Sequence, residues 1–195
     1  MNVIYILFSY LMGAISFGIV MSRLFSLPDP RTIGSKNPGA TNVLRTGKKI
    51  AALLTLLGDA LKGSLTVGLA QYFELSPLMV ALVAIATLLG HIFPIYYGFK
   101  GGKGVATAAG ILFMFSWMMG CTVLAIWFAV FIIWRYSSLA AIIAASLSPV
   151  MGFFYAIDFY QLIASSIIAL ILILRHIDNM KRLINGTESS FREKK

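Results

Sequence analysis

The sequence predicts an all-α integral membrane protein of about seven transmembrane helices, with the N-terminus outside and the C-terminus cytoplasmic. Three observations carry that reading. Hydrophobic residues make up 59% of the 195 and charged residues only 12%, where soluble domains carry roughly a quarter. The apolar residues, at a mean hydropathy of +0.87, lie in runs long enough to cross a bilayer. The formal net charge of +9 comes from lysines and arginines gathered in a few pieces, and these fall on one side when the runs are threaded alternately.

Residues 3–24 form the first apolar run, and with no basic leader and no small-residue cleavage site it reads as a retained span. The loop at 25–49 follows and holds Arg31, Lys36, Arg45, Lys48 and Lys49. The second span, 50–73, contains Asp59 and Lys62. Ionisable groups inside a span are rare, and three residues apart on a helix these two can neutralise each other, an ion pair facing the bundle and supporting a site from behind. Glu74 marks a turn before a third span at 76–97, and a second polar loop occupies 98–104. Residues 105–134 carry no charge and would make a single helix of roughly 45 Å, too long for one ordinary crossing. A hairpin turning near Gly120 puts Arg135, Arg175 and the basic tail on the side of the first two loops, so the hairpin is preferred. Spans at 138–155 and 159–174 complete the set, joined through Asp158. Every Lys and Arg except Lys62 then lies at the cytoplasmic side, with Glu74 and Asp158 outside. Lys181, Lys194 and Lys195 read as contacts to lipid headgroups. No internal repeat or soluble segment divides the chain, which reads as one domain over 1–195.

The membrane spans account for the basicity better than nucleic-acid binding does. A single cysteine, Cys121, excludes an internal disulfide and cysteine-rich metal motifs, and no cluster of His, Asp and Glu is placed to hold a metal. No cofactor is implied. The chemistry-bearing residues lie in three polar pieces. In residues 34–45, Gly34 and Gly39 open unusual backbone angles, while Pro38 stops a helix from running through Asn37. Thr41 or Asn42 is then a plausible N-cap for a helix from Val43. A small-residue loop feeding a helix N-terminus is an anion site, here flanked by Lys36 and Arg45. Its glycine spacing is that of a P-loop, but Ala40-Thr41 stands where Lys-Ser/Thr is needed and no strand precedes it. In the second piece, glycines around Lys103 admit close backbone approach, and Lys103 is a mobile charge suited to phosphate. In the third, His176, Asn179 and Arg182 recur every three residues and share a helix face. All three pieces face one compartment, so they can form one site at the membrane surface.

Residues 35–45, Gly58-Asp59-Ala60-Leu61-Lys62-Gly63, Gly90-His91 with Gly101-Gly102-Lys103-Gly104-Val105-Ala106, and Arg175-His176 through Glu188 resemble the motifs of the bacterial PlsY family. The resemblance covers nearly the whole chain; where members often carry glycine, this chain has Lys36. It implies an acyl-phosphate:glycerol-3-phosphate acyltransferase of the bacterial inner membrane, working at the cytoplasmic face. The acyl group would pass to the 1-hydroxyl of glycerol 3-phosphate, giving lysophosphatidic acid and phosphate. Ser35, Lys36, Asn37, Gly39, Ala40, Thr41 and Asn42 would cradle phosphate, chiefly the donor's, together with Gly101, Gly102, Gly104 and Arg175. Arg45, Lys103, His176 and Asn179 would hold glycerol 3-phosphate and screen developing charge, with Asp59, Lys62 and Glu188 in support. The competing readings are a small organic-anion or phosphate transporter and a non-catalytic lipid-binding protein. Against transport, the polar motifs crowd one face rather than the midplane.

Overall fold

The computed structural model describes residues 2–191, and all regular structure among them is helical. The first apolar run is not one straight span. It divides into α1 (Asn2–Gly13) and α2 (Phe17–Leu24), bent by 42°. The break leaves the Ile15 carbonyl free of a helical partner, and the Lys62 ammonium reaches it at 2.6 Å. An interior cation thus stabilises a bend that hydropathy alone cannot show.

The polar loop that follows contains one helical turn, α3 (Ala40–Leu44), and leads into α4 (Lys49–Tyr72), the longest helix. Next come α5 (Pro77–Ile92) and a short 3₁₀ turn at Ile95–Tyr97. The uncharged stretch then folds as the expected hairpin, α6 (Val105–Phe115) and α7 (Trp117–Trp134). Its turn is at Ser116 rather than near Gly120, because the Ser116 hydroxyl caps α7 by accepting from the Met119 N–H at 3.4 Å. Gly120 instead packs flat against Phe113, which lets α7 fold back on α6. The chain ends with α8 (Ser137–Phe154), α9 (Phe159–Arg175) and α10 (Ile177–Ile184), the last two bent by 54°.

Helices α4, α7 and α8, and α5 together with its 3₁₀ turn, are long and apolar enough to span a bilayer, and each bent pair is long enough as a unit. At eleven residues, α6 reaches only about 16 Å, so it spans part of the hydrocarbon layer. Helices α1 and α5, α4 and α6, and α7, α8 and α9 are neighbours. Several contacts are close enough to exclude a side chain: a Cβ on Gly90 would lie 2.1 Å from the Tyr10 carbonyl, and one on Gly110 would lie 2.0 Å from that of Ala60. Small residues at helix crossings are how membrane bundles gain dispersion contact when water supplies no drive between helices. The buried core runs through Val83, Leu88, Ile111, Met119 and Ile168. Leucines 53, 56, 57, 61 and 65 stay exposed along α4, as a lipid-facing stripe should.

Candidate active site

Each of the three polar pieces sits at a helix end, and side-chain bonds draw them to one place. In the first, Asn42 is 1% exposed. Its amide donates to the carbonyls of Pro30 (2.7 Å) and Ile33 (3.1 Å), and its oxygen accepts from the Ser35 N–H at 3.0 Å. Asn42 therefore ties the loop together from within rather than facing a ligand. With its amide so occupied, α3 begins at Ala40 with Gly39 as N-cap, ahead of the expected start at Val43. A single turn sums few peptide dipoles, so attraction for anions falls chiefly to the arginine and lysine side chains. Lys36 is exposed and has φ of 57°, the left-handed region where glycine is free of strain.

The first loop is joined to the second by Arg31, which is paired with Asp29 at 2.7 Å and donates to the Tyr97 carbonyl at 3.3 Å. In the second, Gly101 and Gly102 hydrogen-bond back to the carbonyls of Ile92 and His91, each at 3.2 Å. That hairpin-like return carries Lys103 over the mouth of the bundle, where its ammonium donates to Asn179 Oδ1. Burial pulls Lys103 down to about 8; Glu188 opposes the shift, while Arg182 and Arg175 add to it.

The third piece is organised by Glu188. Its carboxylate accepts from Asn179 Nδ2 at 2.6 Å, Ser138 Oγ at 2.7 Å and Arg182 Nε at 2.7 Å. Burial alone would raise this carboxyl, but those three donors hold it below the usual glutamate range. His176, 4% exposed, stands at the bend between α9 and α10 with Nδ1 2.7 Å from the Leu172 carbonyl. A carbonyl only accepts, so Nδ1 carries the proton, and Nε2 is the acceptor edge of the neutral ring. Across the site, Thr41 Oγ1 meets Ser137 Oγ at 3.3 Å. A continuous polar chain thus runs from the first loop through the start of α8, Glu188 and Asn179 to Lys103.

These residues surround the mouth of a cavity of about 730 Å³. Its polar end holds Ser35, Asn37, Gly39, Ala40, Thr41 and Arg45 from the first loop, Lys103 and Gly104 from the second, and His176, Asn179 and Glu188 from the third. Below them it turns apolar between α6, α7, α8 and α9, with Leu112, Val123, Trp127, Ala144 and Ile168 in its wall. It also borders Leu53, Leu56, Leu124 and Phe128, whose exposure on α4 and α7 marks a lateral opening towards lipid. Lys36, Asn42, Lys62, Gly101, Gly102 and Arg175 do not line it. Arg175 lies over the Phe93 ring, 5.9 Å from its centroid. Lys181 is exposed, while Lys194 and Lys195 fall outside the described residues.

Asp59 and Lys62 do pair, at 2.8 Å, but a third group joins them: His91 Nδ1 lies 2.9 Å from Lys62 Nζ and 3.5 Å from Asp59. Asp59 and His91 also border the cavity. Sequence reasoning missed His91 as a member of this cluster, and also Ser137 and Ser138. The signals were a histidine inside an apolar span and a short polar break, Arg135-Tyr136-Ser137-Ser138, on the same side as the other loops. Among the described residues no group of His, Cys, Asp and Glu is placed to hold a metal ion.

A protein-family model described as glycerol-3-phosphate acyltransferase matches residues 3–186. The chain is 51% identical over 193 residues to a glycerol-3-phosphate acyltransferase of Methylobacillus flagellatus, covering 99% of this chain and 98% of that one. It is 54% identical over 188 residues to that of Nitrosospira multiformis, covering 94% and 93%. A solved structure of PlsY, an integral membrane glycerol 3-phosphate acyltransferase, in its glycerol 3-phosphate form, matches with a TM-score of 0.93 at 35% identity, covering 98% of this chain and 96% of that one. The lysophosphatidic acid form of PlsY matches with a TM-score of 0.92 at 34% identity, covering 98% and 95%.

Proposed function

As a member of the glycerol-3-phosphate acyltransferase family, this chain is a membrane enzyme that acylates glycerol 3-phosphate, and we propose that it does so from acyl phosphate at the cytoplasmic face of the bacterial inner membrane. The observation that carries the proposal is a single cavity whose mouth is cationic and whose depth is apolar and open sideways to lipid. Both substrates bring phosphate to such a mouth, and only the donor brings a chain for the apolar part.

In the proposed reaction, the 1-hydroxyl oxygen of glycerol 3-phosphate attacks the acyl carbonyl carbon of the donor. The bond from that carbon to the bridging oxygen breaks, and phosphate leaves with the electron pair. The hydroxyl proton passes to a phosphate oxygen, so the products are lysophosphatidic acid and inorganic phosphate. A mixed anhydride is already activated, so the protein need supply only alignment and charge screening. Arg45 and Lys103 neutralise the phosphates. Asn179, fixed by Glu188, orients the Lys103 ammonium. His176 presents Nε2 as an acceptor for a substrate hydroxyl, acting first as a binder. Ser35, Asn37 and Thr41 supply the small polar wall on the donor's side.

The test is phosphate release by purified protein with glycerol 3-phosphate and each of several acyl donors. Stoichiometric phosphate and lysophosphatidic acid from acyl phosphate is the expected result. Acylation only from a thioester donor would refute the donor assignment while leaving the acyltransferase itself intact.

A further inference from the structure

We propose that His91, held by the Lys62–Asp59 pair, is a positioning residue for acyl transfer: it fixes Gly102, and through Gly102 the stance of Lys103 over the substrate phosphate. The proposal rests on Lys103 being a phosphate ligand.

Three ionisable side chains inside a membrane bundle are costly, and a well-packed apolar trio would serve stability at least as well. Asp59, Lys62 and His91 are 2%, 2% and 5% exposed. Their geometry is directional. The Lys62 ammonium hydrogen-bonds the Ile15 carbonyl at 2.6 Å and His91 Nδ1 at 2.9 Å, and is ion-paired with Asp59 Oδ1 at 2.8 Å. Because an ammonium only donates, Nδ1 accepts and the imidazole proton resides on Nε2. Thr107 Oγ1, from the first turn of α6, stands 3.3 Å from the same Nδ1. The ring is therefore fixed in rotation and tautomer on one edge.

Its other edge supports the second polar loop. A Cβ on Gly102 would lie 2.2 Å from His91 Nε2, 2.9 Å from Cε1 and 3.2 Å from Cδ2, so the glycine backbone rests directly on the imidazole. The Gly102 N–H also donates to the His91 carbonyl. Lys103 follows at once, so any rotation of the ring moves the backbone that carries the ammonium. Lys62 also reaches the first loop from behind. It holds Ile15 at the α1–α2 break, and α2 carries Gly18, where a Cβ would lie 2.1 Å from the Pro38 carbonyl. One buried ammonium thus connects the supports of two loops that must face the same phosphate-bearing substrates.

A double-mutant cycle between positions 91 and 102 separates this role from simple packing. His91→Ala is expected to lower kcat/KM for glycerol 3-phosphate by about 10- to 100-fold, the scale typical of losing an orienting partner. Gly102→Ala is expected to do the same, since its methyl collides with the ring. In the double variant the ring is gone and the methyl has room, so its activity should be no lower than that of His91→Ala alone. A second readout is the pH profile. Lys103 is faced by Glu188, Asp178, Arg182 and Arg175 besides its own loop. Released from its seat, it regains water, and the alkaline limb of kcat/KM should move upward in His91→Ala. If His91→Ala does not purify folded, His91→Asn enters the same cycle; it keeps an acceptor for Lys62 but leaves Gly102 uncovered. Losses that multiply to within about threefold, with an unmoved alkaline limb, would overturn the proposal. Wild-type protein that releases no phosphate would instead refute the donor assignment, and wild-type kinetics in Lys103→Ala would remove the phosphate-ligand premise.

Discussion

Lys103 is the residue whose chemistry is most constrained by where it sits. Its pKa is lowered to about 8, chiefly by burial, and only the ammonium form neutralises phosphate. Because kcat/KM reports the free enzyme, it should hold steady below that value and fall as pH rises through it. Lys103→Arg should abolish the alkaline limb, since a guanidinium stays charged, though at a lower plateau because a planar fork replaces a point charge. A limb that survives in Lys103→Arg would assign the titration elsewhere. Truncating either cation at the mouth, Lys103→Ala or Arg45→Ala, should cost on the order of 2–4 kcal/mol of transition-state stabilisation, read as a loss in kcat/KM. Lys36 behaves differently. It is exposed, points outside the cavity and holds a left-handed backbone, so Lys36→Gly should leave kcat/KM within about threefold of wild type while relieving strain. A large loss would return Lys36 to the phosphate cradle.

At the scale of elements, runs of apolar residues and the side on which charge falls were enough to place most of the helices and the α6–α7 hairpin. What they could not place were features set by tertiary partners. The α1–α2 bend depends on Lys62 reaching Ile15 from another helix, and the early start of α3 depends on Asn42 turning inward. The Ser116 turn replaced Gly120 because a local cap outweighed a glycine. The three motif loops were legible as pieces that could meet, and they do border one cavity, whereas Ser138 was not, since a serine at a helix start carries no chemistry until Glu188 is folded against it. That contact makes a prediction about α10. Glu188 is the shared acceptor for Ser138, Asn179 and Arg182, so it pins α10 and the following tail to α8. Glu188→Ala should free Asn179, loosen its hold on Lys103 and raise KM for glycerol 3-phosphate by about tenfold, a charged hydrogen bond's worth. Glu188→Gln keeps two of the acceptor contacts and should lie between. Equal kinetics for all three proteins would mean that α10 is held by its apolar face alone.

For the molecule as a whole, the distribution of charge proposes a direction in the membrane, and the cavity proposes a reaction course. In a Cys121→Ala background, cysteines at the exposed positions Lys36, Lys100 and Lys181 should react with an impermeant thiol reagent only from the cytoplasm, and one at Glu74 only from outside. Reaction of Lys36 and Lys181 variants from opposite faces would contradict a shared site. The same arrangement argues that the acyl group passes directly between substrates with no acyl-enzyme. A covalent intermediate needs a nucleophile and something to activate it. The one thiol, Cys121, lies in the second turn of α7, near the end that begins at the Ser116 cap, while the cationic mouth lies towards the other end of that helix, about 20 Å away along its axis. Ser35 does face the cavity, but no hydrogen bond connects its hydroxyl to a histidine among the described residues, and His176 is fixed by a backbone carbonyl rather than a carboxylate. Conversion of a mixed anhydride to a serine ester would also lower the reactivity the donor brings. Kinetics should therefore be sequential, with both substrates bound before phosphate leaves. Enzyme mixed with labelled acyl phosphate alone, quenched within a turnover and analysed as intact denatured protein, should show no added acyl mass. An adduct on Ser35 that forms and decays at the rate of turnover would replace direct transfer with a two-step mechanism.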